Sequence, residues 1–186
     1  MIKQIARAAV LVACGLALGG CPLDQPKTAA PPPKKAPAPD YQMAGPPPPP
    51  AAQIRNICFN DADLAVFRAR MLVQELQVGV LQCQGAGGVR MFEREYTGFL
   101  NKFNNDMRVN GDQLKTMLGR KRRNVDVTVT EIANRTAQRA STDPEFCARK
   151  LRAFEWALSG QVTSLGQVPA PYDVGPEMNI HPCPPP

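Results

Sequence analysis

Apolar residues between about position 61 and position 160 recur at steps of three and four, which is the spacing of one face of an α-helix. The first such segment runs from Asp61 to Gln84 and carries two neighbouring apolar stripes, which predicts a helix at the centre of a bundle. Asn60 or Asp61 can cap its start, and the glycine-rich stretch that begins at Gly85 ends it.

The next stretch is predicted to form two helices. From Val89 to Met107 an aromatic stripe recurs at helical spacing, which is typical of core packing rather than of a ligand platform. Asn110-Gly111 is typical of a turn, and a short third helix is predicted from Leu114 to Leu118, where Gly119 ends it.

The last helical segments begin near Val125 and Asp143. Val125 to Thr130 alternates strictly and is rich in β-branched residues, which in isolation favours a strand. A lone strand would have no partner in this sequence, so we predict a helix. Asp143 as N-cap and Pro144 at the first helical position predict the fifth helix, which ends at Gly160. The pattern therefore predicts an all-α bundle of four to five helices.

Proline confines this bundle to the middle of the chain. Most of the 20 prolines stand before Ala52 or after Val168, and proline fixes φ and removes an amide donor. We therefore predict a Pro/Ala-rich disordered linker over residues 21–53, the helical domain over 54–165 and a proline-rich C-terminal tail over 166–186. The linker composition favours polyproline II, which suits a semi-stiff spacer.

The amino terminus has the composition of a secretory signal. Met1 to Arg7 contains Lys3 and Arg7 but no acidic residue, and Ala8 to Leu18 is apolar apart from one glycine. This apolar run is shorter than the roughly 20 residues that a membrane-spanning helix needs. The segment predicts export, and removal of its two cations lowers the formal net charge of +6 to +4, which leaves a mildly basic chain.

The run Leu18-Gly19-Gly20-Cys21 resembles the lipobox of bacterial lipoproteins. The resemblance implies that residues 1–20 are a signal peptide, that cleavage falls before Cys21, and that this cysteine carries the acyl chains that anchor the protein. Leu11 to Cys14 also fits, but its preceding apolar run is shorter than a usual signal core. Pro22 stands where an Asp retains enteric lipoproteins in the inner membrane, which favours the outer membrane, facing the periplasm.

Four further cysteines remain in the exported chain, and an even number in an exported protein indicates disulfides. Three pairings are possible. Cys83 at the end of the first helix and Cys147 at the start of the fifth both face inward, so we favour their pairing, which leaves Cys58 with Cys183. The chain has no C-x-x-C, and its one histidine is His181 beside Cys183, so we predict no metal site and no cofactor.

The stretch from Met71 to Gly85, the aromatic second helix and the run Ile132-Ala133-Asn134 resemble small secreted helical proteins of proteobacteria. The resemblance implies an all-helical fold and carries no activity with it.

A single histidine nearly excludes the nucleophile–base pairs of common hydrolases, so we predict no enzyme activity. The charged feature that could serve a function is a run of four cations, Arg120, Lys121, Arg122 and Arg123. Together with the nearby Lys115 we name it the basic cluster. Such a run is either a solvated loop or an anion-binding surface, and export argues against nucleic acid. We predict a membrane-anchored, non-enzymatic envelope interaction or structural module. The alternative is a binder of anionic glycolipid or cell-wall polymer through the basic cluster.

Overall fold

The computed structural model of the chain describes residues 36–43 and 58–184. In that part of the chain the fold is all-α, which confirms the predicted fold class. Its four α-helices are α1 (Asp61–Gln82), α2 (Glu93–Arg120), α3 (Val125–Thr142) and α4 (Phe146–Leu158). None of these described helices is long and apolar enough to span a bilayer. The predicted signal peptide, Cys21 and most of the predicted disordered linker lie outside the described residues.

Helix α1 is the central element of the bundle, because it contacts α2, α3 and α4. Its buried side chains occupy both predicted stripes and include Phe67, Leu72 and Leu76. Asn60 caps its start, since its side chain accepts a hydrogen bond from the amide of Asp63. The central position that the two apolar stripes predicted for this helix is therefore confirmed.

Helix α2 has a kink at Phe103 but is continuous through residues 110 and 111, so the predicted turn at Asn110-Gly111 and the separate short helix after it are wrong. Asn110 is buried inside the helix, where its amide group donates 2.8 Å to the Val66 carbonyl of α1. A Cβ on Gly111 would lie 3.1 Å from the Arg70 guanidinium. The two residues therefore serve a close helix–helix crossing instead of a turn.

Helix α3 occupies the segment with strand-like alternation, as predicted. Asn124 caps it by accepting from the Val127 amide, and the buried Thr128 and Thr136 hydroxyls bond to carbonyls one turn earlier. Each threonine thereby meets its own hydrogen-bonding need inside the helix. Helix α4 begins three residues after the predicted cap, although the Asp143 carboxylate still accepts from the amide at position 145.

The C-terminal segment does not form the predicted tail but packs on the bundle. Beyond position 161 its buried apolar residues are Val162, Leu165, Val168, Ala170, Tyr172, Val174, Met178 and Ile180. The Phe59 amide donates to the His181 carbonyl, and the amide of residue 183 donates back to Phe59. Prolines prevent this segment from forming a long helix, but its apolar side chains still complete the core.

Two disulfides close the fold, and their pairing is the one that the sequence favoured. Cys83 is bonded to Cys147, with Cα atoms 5.7 Å apart, and this bond joins the end of α1 to the start of α4. Cys58 is bonded to Cys183, with Cα atoms 4.6 Å apart, and this bond joins the two ends of the folded domain.

Helix α1 approaches α4 closely at Gly79, where an added Cβ would lie 2.8 Å from the Lys150 Cγ. Gly79→Ala should therefore lower the free energy of unfolding by about 2 kcal/mol, because the fully buried Lys150 stem has no room to move. Gly119→Ala is the matched control, since apart from the glycine's own helix backbone and chain neighbours no atom lies within 4 Å of an added Cβ. We expect it to stabilise by about 0.5 kcal/mol. Urea unfolding measures both, and equal effects would contradict the close approach.

Candidate functional site

A charged pair is enclosed in the core between α1 and α4. The side chains of Glu75 and Lys150 have no solvent exposure, and the Lys150 Nζ lies 2.9 Å from the Glu75 Oε2. The Tyr172 amide donates to the same oxygen at 3.1 Å. The ammonium also lies over the rings of Tyr172 and Phe146, 4.4 and 4.9 Å from their centroids. The C-terminal segment thus takes part in holding this pair.

Burial shifts both members of the pair toward their neutral forms. Desolvation raises the pKa of Glu75 to about 6, although Lys150 and the Tyr172 amide oppose the shift. Desolvation likewise lowers the pKa of Lys150, against the attraction of Glu75. The Glu75 Oε1 is buried and has no hydrogen-bond partner among the described residues. The pair is therefore costly to bury and depends on both partners being present.

The pair is continuous with a second carboxylate, that of Asp143, which lies in the link between α3 and α4. The Tyr172 hydroxyl donates 2.8 Å to the Asp143 Oδ2, and the Arg149 Nε donates to the same oxygen at 3.0 Å. Burial alone would raise the pKa of Asp143, but these hydrogen bonds and that of the Glu145 amide together lower it. Burial raises the pKa of the Tyr172 phenol, and the hydrogen bond to Asp143 and the negative charge of that carboxylate raise it further. The result is a connected polar network in the core.

Residues Asp40–Met43, which we name the strap, cover one side of this network. Tyr41 is buried to 1 % exposure, and its hydroxyl donates 2.9 Å to the Pro169 carbonyl. Its own carbonyl accepts from the Arg149 guanidinium at 3.1 Å. Burial and the nearby Glu75 charge raise the pKa of the Tyr41 phenol. The strap therefore contacts both the C-terminal segment and the polar network.

The remaining strap contacts fix its direction along the C-terminal segment. The Met43 amide donates 2.8 Å to the Pro171 carbonyl, and the side-chain amide of Gln42 donates 3.3 Å to the carbonyl at position 170. Asp40 forms an ion pair with Arg152 of α4. The predicted linker boundary is thus wrong for these four residues. The sequence does carry a signal, because Tyr41 and Met43 interrupt residues 24–53, which otherwise consist of small, polar and proline residues.

A groove of about 370 Å³ runs beside the strap, between α1 and the C-terminal segment. Its lining is mostly apolar and includes Ala65, Ala69 and Val168, and the charged residues Arg68 and Asp173 line it as well. Gln42 of the strap lines it as well. The groove is open enough to admit a peptide side chain or a small ligand.

The structure places three members of the basic cluster in contacts within the domain. Arg120 lies 2.9 Å and Lys121 3.2 Å from the buried Asp63 carboxylate at the start of α1. The Arg123 guanidinium donates to the carbonyls of Met178 and Asn179. These cations fasten the start of α1 and the C-terminal segment to the end of α2, which gives the run a structural role that the sequence did not predict.

The other two cations of the cluster, Lys115 and Arg122, are exposed. Arg122 has a positive φ of 54°, as the sharp turn between α2 and α3 requires. Phe59 lies beneath the cluster, 5.1 Å from the Lys121 ammonium and 5.7 Å from the Arg123 guanidinium. Two members of the cluster, Lys121 and Arg123, therefore lie beside the chain at Phe59, next to the disulfide-bonded Cys58.

Within residues 36–43 and 58–184, no three His, Cys, Asp or Glu side chains come together as a metal-binding group. Comparison with protein-family models, with curated proteins and with solved structures found no match to this chain.

Proposed function

We propose that this protein is an exported bacterial lipoprotein that is cut before Cys21, carries lipid on that cysteine and presents its helical domain in the periplasm. The anchor would lie in the outer membrane. The domain acts as a non-enzymatic module that binds another envelope component or holds it in place.

One observation carries the proposal: the four cysteines of the described domain form two disulfides, Cys58–Cys183 and Cys83–Cys147. Disulfides persist in oxidising compartments such as the periplasm and are rare in the cytosol. This agrees with the charged, then apolar, amino-terminal pattern of a secretory signal. Two features of the sequence and structure thus support export independently.

The interior of the domain supports a structural rather than a catalytic use of its perturbed groups. Glu75 and Lys150 have no solvent exposure, so a substrate has no access to them in this conformation. Their hydrogen bonds join α1, α4 and the C-terminal segment. A binding role fits the exterior better, since the groove beside the strap is accessible and largely apolar.

The alternative, recognition of anionic glycolipid or cell-wall polymer, rests on fewer cations than the sequence offers. Arg120, Lys121 and Arg123 already contact the domain itself, although the Arg120 side chain is 63 % exposed. Lys115 and Arg122 are the other exposed cations of the basic cluster. Salt-sensitive binding that is lost in Lys115→Ser/Arg122→Ser would favour this alternative over a protein partner.

Replacement of Cys21 tests the proposed anchor. In cells that express the full chain, Cys21→Ser should abolish the acyl mass and move the protein from the membrane to the soluble fraction, because a serine hydroxyl cannot form the thioether. Cys14→Ser is the matched control, since this cysteine follows a similar four-residue pattern. We expect it to leave both lipidation and membrane attachment intact. Intact-mass analysis of the fractionated protein reports both properties.

If Cys14→Ser lost the acyl mass and Cys21→Ser kept it, the lipidated residue would be Cys14 instead of Cys21. Retention of an unmodified initiator methionine in the wild-type protein would contradict the lipoprotein assignment altogether. Whole-cell cross-linking followed by purification tests the interaction role, and recovery of monomer alone across cross-linker lengths would count against it.

A further inference from the structure

The strap, Asp40–Met43, lies outside the part of the chain that the disulfides close. All four described helices and both disulfides fall between Cys58 and Cys183. Fourteen residues separate Met43 from Cys58, and the strap is joined to the domain only through them. Covalently, the strap is a peptide appended to an already closed domain.

Its contacts are those of a bound peptide. One aromatic side chain, Tyr41, is fully buried and acts as the anchor. Backbone groups supply two of the remaining hydrogen bonds, from Met43 to Pro171 and from Arg149 to the Tyr41 carbonyl. Asp40 adds an ion pair at the edge, where both side chains are more than a third exposed. A single buried anchor with a polar edge is the usual anatomy of a peptide-recognition site.

We propose that the cleft between α4 and residues 169–171 is a peptide-binding site whose resident ligand is the chain's own strap, and that this ligand detaches reversibly. The occupant is an Asp-Tyr-Gln-Met segment bound in cis. The recognition chemistry is a buried phenol that donates to Pro169, a backbone carbonyl that accepts from Arg149 and an acidic group that pairs with Arg152.

Release of the strap has two consequences. It admits water to the polar network, because Tyr41 lies near Glu75 and bonds to Arg149. It also lengthens the free chain. Between Cys21 and the strap lie 18 residues, whereas between Cys21 and Cys58 lie 36. At about 3.6 Å per extended residue, the maximal reach doubles from about 65 Å to about 130 Å. Only this gain in reach rests on the proposed lipid anchor.

Hydrogen exchange and peptide binding on the mature full chain, made soluble by Cys21→Ser, test the proposal. Tyr41→Ala should abolish the protection of the Met43 amide while the Leu76 amide in α1 stays protected. Gln42→Ala is the matched control, because that side chain is exposed and makes only one 3.3 Å bond. It should preserve protection at both amides. These readouts are independent of lipidation, so they separate this proposal from the assignment of the anchor.

A fluorescent peptide with the sequence of residues 36–43 then probes the vacated cleft. It should bind the Tyr41→Ala chain tighter than wild type by a factor of about 10 or more, because in wild type the resident strap competes at high effective concentration. A peptide with alanine in place of the tyrosine should fail to bind. Loss of Leu76 protection in Tyr41→Ala would overturn the proposal, since the strap would then be part of the cooperative core. Absence of peptide binding, or a wild-type dimer in solution that exchanges straps, would also overturn it.

Discussion

Replacement of Lys150 by methionine should lower the free energy of unfolding by about 3 to 5 kcal/mol at pH 7. Methionine keeps the aliphatic stem that packs on Gly79 but removes the ammonium, so Glu75 is left buried without its partner. Chemical denaturation at a fixed pH measures the loss. Arg108→Met is the surface control, because its ion pair with Asp112 is exposed. We expect it to change stability by less than about 0.5 kcal/mol.

A double variant and a pH series separate the charge from the packing. Glu75→Gln/Lys150→Met should recover more than half of the loss, since glutamine still accepts from the Tyr172 amide but carries no charge. In Lys150→Met the folded-state pKa of Glu75 lies further above its ordinary value of 4.5 than the value of about 6 in the intact pair. A raised folded-state pKa stabilises below the unfolded value and loses that contribution as the pH rises. The deficit should therefore shrink as the pH falls through the folded-state pKa and be smallest below pH 4.5, and a deficit independent of pH would indicate lost packing instead.

The second large effect concerns the disulfide between Cys58 and Cys183, which spans 125 residues of sequence. Replacing both cysteines by alanine should cost about 5 kcal/mol in the chain-entropy treatment. The Cys83–Cys147 bond spans 64 residues, and its removal should cost about 4 kcal/mol. Urea unfolding of the two double-alanine variants measures both losses. We also expect the first variant alone to lose exchange protection at the Phe59 amide, which donates to the His181 carbonyl.

Both variants need to be compared with the reduced wild-type protein. Reduction should cost more than either variant, because it opens both loops. If neither variant changed the urea midpoint, the two bonds would add nothing to the stability of the fold, and the proposed export into an oxidising compartment would lose its structural support.

The helices were predictable where hydrophobic periodicity and tertiary packing agree. The two stripes of α1 placed it at the centre of the bundle, and Asn60 marked its start. The strand-like run at the start of α3 was predicted to be helical only because the sequence offers no partner strand. Asn110-Gly111 misled because a small polar pair serves equally well in a turn and at a close helix crossing. Local sequence does not distinguish these two uses.

The polar network was not predictable, because its members are far apart in sequence and individually ordinary. Glu75 and Lys150 each lie in an amphipathic helix, where a charged residue is expected on the solvent side. Gly79 opens the space that lets the Lys150 stem turn inward, and this depends on how α1 and α4 cross. The strap and the C-terminal segment escaped prediction for another reason: proline-rich composition masked the few apolar anchors, such as Tyr41 and Tyr172, that bind them to the domain.

The bond between Cys58 and Cys183 has a consequence for resistance to proteases. It turns the polypeptide between these two positions into a covalent ring, because the two sulfurs close the backbone path from one end of the domain to the other. A single cut by a protease anywhere inside this ring linearises it without shedding a fragment. The nicked ring therefore keeps all of its residues, and two separate cuts inside it are the minimum for losing any residue between these two cysteines.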